Sequence, residues 1–388
     1  MASVAAARPV ISSCLFLFLF LLFVAESGVF AARPARRSRR MNAIDRCWRG
    51  NRNWAASRQR LAACSVGFAG KMWGNAGKDV TFYRVTNPGD DPVNPQPGTL
   101  RHGASLVKGK VWITFAMDMV IKLGRPLVVK SFTTIDGRGA DVQIAHGSGF
   151  LLYQVNDVII HGLSFHDLQP QGPGPVISQR GEVMEMGSSD GDAIRLVGSS
   201  KVWVDHNTLY SCHDGLLDVT RGSSWVTISN NWFKNHDKVM LLGHDDGHLE
   251  DREMKVTVVY NRFGPRVNQR MPRVRHGYAH IVNNFYQGWG DYAIGGSMSP
   301  TIRSEANLFV APRAGNKQIT WREGRGKSWN WLSVGDGFIN GAFFVQTGTR
   351  GRGPGYDSQQ RFPVSGVKVV RSLTRHAGAL RCSEQSRC

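Results

Sequence analysis

Four segments of this chain are copies of one template: Val202-Trp-Val-Asp-His-Asn207, Val226-Thr-Ile-Ser-Asn-Asn231, Val256-Thr-Val-Val-Tyr-Asn261 and Ala279-His-Ile-Val-Asn-Asn284. Each is a short β-branched run that ends in Asn, as a strand entering a turn reads. Residues 301–307 repeat the template more loosely, and residues 158–165 are an earlier copy without the Asn. Asn207, Asn231, Asn261, Asn284 and Asn307 follow one another at intervals of 24, 30, 23 and 23. Two positions after each stands a large apolar residue: Leu209, Phe233, Phe263, Tyr286 and Phe309. A period in the low twenties, with short strands and no intervening helices, is that of a solenoid. Leucine-rich repeats share the period, but their Leu/Asn consensus is absent. The pattern predicts an all-β fold, a right-handed parallel β-helix in which the Asn and aromatic residues stack as internal ladders. Asn suits the turn because it bonds neighbouring main chain and tolerates a left-handed bend. Chemistry is then expected on the loops rather than the strands.

Outward from the repeats, residues 44–68 read as helical, with Trp54, Arg58 and Leu61 at i, i+4 and i+7. This N-terminal capping helix is expected to close an apolar end of the coils. Residues 88–99 hold four of the 16 prolines and read as a loop. Residues 28–42 form a basic tail containing Arg33, Arg36, Arg37, Arg39 and Arg40. Ahead of it, Arg8 precedes an unbroken apolar run over residues 14–25, followed by small residues. The run is too short for a bilayer-spanning anchor, so residues 1–27 are expected to be a secretory signal peptide, with cleavage as late as residue 31. Residues 43–388 are expected to be a single domain.

Without the leader the cysteines are Cys47, Cys64, Cys212, Cys382 and Cys388. Cys47 with Cys64 and Cys382 with Cys388 are the local pairings, which leaves Cys212 as a free thiol. No Cys-x-x-Cys pair suggests zinc, and no Asn-x-Ser/Thr sequon is present. The protein is expected to be secreted, extracellular and monomeric, with no membrane association once the leader is gone.

At 41% hydrophobic and 20% charged residues, the composition excludes disorder of the whole chain. The 44 glycines follow no Gly-X-Y period, which excludes collagen. A net charge of +19 calls for a polyanionic partner. Nucleic acid is disfavoured, because the basic run over residues 265–276 has no aromatic residue for bases to stack on.

Stacking makes the acidic residues interpretable. Asp190 to Asp214 and Asp214 to Lys238 are equal steps of 24, one coil each. Equivalent positions on neighbouring coils lie about 4.8 Å apart. Asp190, Asp214 and Lys238 are therefore expected in one column, with Asp192 and Asp218 beside it. Adding the longer interval, that of Asn231 to Asn261, to Lys238 gives Asn268, which stands just ahead of Gln269 and Arg270. Taken singly, Asp-Gly pairs are turns; the one-coil registry makes them a site. Clustered carboxylates repel unless protonated, paired or metal-bound, and hard oxygen donors favour Ca²⁺. Gln269-Arg-Met-Pro-Arg-Val-Arg-His276 adds four cations, either a solvated face or a carboxylate-binding wall beside the acids.

With these residues in view, the chain resembles the plant-type pectate lyases, in particular their pollen-allergen-like branch. The matching motifs are Ile44-Asp-Arg-Cys-Trp-Arg, Pro97-Gly-Thr-Leu-Arg-His102, Thr134-Ile-Asp-Gly-Arg-Gly139, Ser189-Asp-Gly-Asp192, Trp203-Val-Asp-His206, Val239-Met-Leu-Leu-Gly-His244, Gln269-Arg-Met-Pro-Arg273 and Trp329-Asn-Trp331. The resemblance implies a secreted Ca²⁺-dependent β-helix enzyme that cleaves α-1,4-polygalacturonate, the de-esterified pectin of plant cell walls, by β-elimination. It implies calcium ligands at Asp190, Asp214 and Asp218 with Asp192 assisting, Arg270 as catalytic base, and Lys238 and Arg275 binding substrate carboxylates. A guanidinium holds its proton tightly, so alkaline pH should favour the active form. Gly50 and Ala193 stand where many members have Cys and Gly. The alternatives weighed are a catalytically weak binder of acidic polysaccharide, of the pollen-allergen type, and a hydrolase with metal-free paired carboxylates.

Overall fold

The computed structural model describes residues 41–51, 53–324, 329–349, 353–384 and 388. Three parallel sheets carry the chain, and each coil contributes one strand to each. The ten-stranded sheet runs from Val80–Val85 to Asn330–Val334, the nine-stranded sheet from Met119–Ile121 to Gly337–Ile339 and the eight-stranded sheet from Leu127–Val129 to Thr320–Arg322. Strand order follows chain order along each stack, as the predicted β-helix requires. The template segments occupy the ten-stranded sheet, with Val202, Val226, Val256 and Ala279 in successive parallel register.

Both ladders form. The Asn207 amide N–H donates to Asn231 Oδ1 at 2.9 Å, and the same bond recurs from Asn231 to Asn261, Asn261 to Asn284 and Asn284 to Asn307. Asp336 ends the row, where its Oδ1 accepts from the Asn307 amide. Phe233, Phe263, Tyr286 and Phe309 stack inside the coil with ring centroids 5.1, 4.7 and 4.4 Å apart. The left-handed bend falls on the residue before each ladder Asn: His206, Asn230, Tyr260, Asn283 and Ala306 all have φ between 50° and 59°. The ladder Asn must aim its amide inward along the stack, so its neighbour takes the strain, about 1–2 kcal/mol per non-glycine residue.

The expected N-terminal helix is present but short. Ala43–Trp48 is α-helical, with the Asn42 side chain accepting from the Asp45 N–H, so Asn42 already belongs to the fold. Gly50-Asn51 interrupts the helix, and Cys47 is bonded back to Cys64. The remainder is irregular, with short 3₁₀ helices at Arg58–Ala63 and Gly67–Ala69. This strap runs along the outer face of the ten-stranded sheet, a correction to its expected place at an end of the coils. Trp112, Ile159, Trp203 and Val282 point outward there and are buried by Ile44, Trp48, Trp54 and Leu61. Four large apolar residues facing water are the reason the strap lies where it does. The N–H groups of Phe68 and Ala69 also donate to the Thr257 and Thr227 hydroxyls at 3.0 and 3.1 Å. The inner core instead takes Leu100 and Ala104 from the helical turn after the proline loop.

Cys382 pairs with Cys388 as expected. Cys212 is free, and burial pushes its thiol up to about 12, which keeps it from acting as a thiolate. Among the described residues no helix is long and apolar enough to cross a membrane. The expected signal peptide and arginine run lie outside the described residues.

Candidate active site

On the eight-stranded sheet, Ile194–Val197, Leu217–Thr220, Met240–Leu242 and Arg273–Val274 are successive strands. Ile194, Leu217 and Met240 turn into the core. The period of two therefore turns Arg195, Asp218, Leu241 and Arg273 outward, in direct register. Asp218 thus projects from a strand, whereas the sequence placed the acids on loops. Asp190, Asp192 and Asp214 lie in the turns leading into these strands.

The structure brings the predicted acids together. Carboxylate oxygens of Asp190, Asp192 and Asp214 lie within 4.8 Å of one another. The Gly215 N–H donates to Asp192 Oδ1 at 2.7 Å, and this glycine has no room for a side chain. A Cβ there would fall 2.5 Å from Asp218 Oδ1 and 2.9 Å from Asp192 Oδ1. Lys238 Nζ donates to Asp214 Oδ1 at 2.9 Å, and Arg195 stands 4.0 Å from Asp190. All four acids, Lys238 and Arg270 line one pocket of about 190 Å³, together with Arg195 and His244.

Electrostatics marks this pocket as short of positive charge. Burial, then the charges of Asp218, Asp190 and Asp214, push Asp192 up to about 9 against the opposing pull of Arg195. Burial and Asp214 push Asp218 up to about 7. Four convergent carboxylates with two of them disfavoured as anions fit a cation that accepts many oxygen ligands, which is the behaviour of Ca²⁺.

Lys238 pairs with Gln269, so this coil is one position longer than expected, and Arg270 follows directly. Arg270 has φ of 63°, and its carbonyl accepts from the Met240 N–H at 2.7 Å. Its Nε is buried without a hydrogen-bond partner. Arg275 lies outside the pocket wall: Nη1 donates to the Gly243 carbonyl at 3.0 Å and Nε stands 3.5 Å from Asp246. Sequence reasoning missed Arg195 and His244. Arg195 stands one coil before Asp218, so coil arithmetic applied to that acid would have found it.

Comparison with known proteins agrees with this geometry. A family model described as pectate lyase matches residues 122–327. The chain belongs to the pectate lyase family. Among its relatives, a probable pectate lyase of Arabidopsis thaliana (number 16) is 47% identical over 97% of this chain and 98% of its own. A pectate lyase of Zinnia elegans is 46% identical over 89% and 87%. The crystal structure of Jun a 1, the major allergen from cedar pollen, superposes with a TM-score of 0.85 at 46% identity, covering 87% of this chain and 99% of that one. As a pectate lyase the protein is an enzyme, and the acidic pocket is its candidate active site.

Proposed function

We propose that this pectate lyase is secreted, depends on Ca²⁺, and cleaves α-1,4-polygalacturonate by β-elimination to unsaturated oligogalacturonides. The observation that carries this reading is the single pocket that holds four carboxylates together with Lys238 and Arg270. Asp190, Asp214 and Asp218 would hold Ca²⁺, with Asp192 assisting. When bound there, the ion draws electron density from a uronate carboxylate and so acidifies the neighbouring C5 proton.

The chain's own residues do the rest. Lys238 and Arg275 bind substrate carboxylates and fix the sugar's orientation. Arg270 removes the C5 proton; that electron pair becomes the C4–C5 double bond as the C4–O4 bond breaks, and the leaving oxygen takes a proton from solvent. Support for Arg270 as base comes from its place in the pocket and its unpartnered Nε. Cations crowd together beside the pocket: burial first, then Arg273 and Arg270, push Arg275 below the usual guanidinium range. Secretion is supported by the two disulfides, which persist in oxidising compartments.

The test is polygalacturonate with calcium or with a chelator, read by the ultraviolet absorbance of the conjugated double bond. Absorbance that needs calcium is the expected result. Saturated products would mean hydrolysis, in which the raised Asp192 or Asp218 serves as the acid. Binding without product would mean a polysaccharide-binding protein.

A further inference from the structure

The outward row of the eight-stranded sheet continues beyond the acids. From Asp218 the register passes through Leu241, Arg273 and Gly295 to Trp321. Four strand spacings separate Asp218 from Trp321, about 19 Å in all. A lone exposed tryptophan is ordinary, but Trp321 is held as a platform. It is 39% exposed, and its inner face stacks on buried Tyr292, with centroids 5.1 Å apart and planes 14° apart. Gly295, the rung between, leaves the space that the Tyr292 ring fills; a Cβ there would collide with it. The Arg273 guanidinium lies 5.5 Å from the Trp321 centroid and is itself ion-paired to Glu323.

We propose that Trp321 is a distal sugar-stacking subsite: its free face takes the apolar face of a galacturonate ring, esterified or not, in a polymer lying along the outward row. Tyr292 and Arg273 act as positioning residues for the indole. A flat ring backed by a second one offers contact area at little entropic cost. The proposal rests on the polygalacturonate reading above and extends it to the length of substrate the cleft grips.

The experiment compares Trp321→Ala and Trp321→Phe with the wild type on oligogalacturonates of increasing length. For Trp321→Ala, kcat/KM should be unchanged on the shortest cleaved oligomer and fall roughly tenfold on the polymer, through KM, as loss of one aromatic stack predicts. Trp321→Phe should recover most of that loss. A loss equal at every length, or none on the polymer, overturns the subsite. If the wild type yields no unsaturated product, the proposed reaction fails instead. Calorimetric affinity for long oligogalacturonates then decides the platform, which requires weaker binding by Trp321→Ala.

Discussion

Gly215 concentrates the logic of the site in one missing side chain. Its φ is outside the left-handed region, so alanine fits its backbone, but a methyl group would press on Asp218 and Asp192. Gly215→Ala should lower calcium affinity at least tenfold while leaving the melting temperature nearly unchanged, as calorimetric titration and thermal scans would read. Asp214→Asn should weaken both calcium binding and turnover on a folded β-helix; unchanged affinity would remove Asp214 from the ligand set. The raised carboxyls also fix a sign. With Asp218 near 7 and Asp192 near 9, protons occupy the site at neutral pH and a metal ion must displace them. Calcium affinity should therefore climb as pH rises from 6 to 9, with proton release visible as a buffer-dependent heat of binding. Arg270→Lys keeps the charge but changes reach and proton affinity. It should cost about 10²-fold or more in kcat with little change in oligogalacturonate binding. The acids of the site were legible because the step from Asp190 to Asp214, and on to Lys238, is one coil. Arg195 was harder to see, since a lone arginine on a strand gives no reason to take the one-coil step back from Asp218.

Among the structural elements, the Asn ladder is the part most open to measurement. Asn231 Oδ1 accepts from the Asn207 N–H and side chain, while its Nδ2 donates to the Val204 carbonyl at 3.0 Å. Asn231→Ala strands these groups in the core and should destabilise the protein by about 3 kcal/mol or more, at roughly 1–3 kcal/mol per orphaned group. A change under about 0.5 kcal/mol in denaturant titration would mean that the ladder is decoration. At the last rung, burial lifts Asp336 to about 6 even though Ser304, Ser333 and Asn307 all donate to it. A carboxyl raised in the folded state stabilises below its unfolded value near 3.8 and loses that contribution as pH rises through about 6. Asp336→Asn should thus raise the melting temperature at pH 8 and lose its advantage by pH 4. The β-helix was legible because its period is carried by residues that face the core. The strap was legible only as apolar, since Trp54, Arg58 and Leu61 at helical spacing cannot reveal that a disulfide and Gly50 fold them into tight turns and a short 3₁₀ helix against a sheet.

For the whole molecule, a net charge of +19 sets how the enzyme meets its polymer. On the proposed reading, methyl esters would remove both the charge assigned to Lys238 and Arg275 and an oxygen donor for the metal ion. Turnover should fall steadily with pectin methylation and with added salt. Faster cleavage of highly methylated pectin would move the protein to the pectin-lyase class. The strap has a consequence of its own for how this molecule comes apart. A stack in which each coil touches only the next can unravel from one end, rung by rung. Here residues 44–69, with Leu373 and Cys382 from the other end of the chain, lie against one sheet from Trp112 on its second strand to Val282 on its eighth. A coil cannot leave without exposing tryptophans that cover its distant neighbours. The strap therefore ties the coils from the second strand to the eighth into one cooperative unit, so that a fold built from repeats melts as a single body.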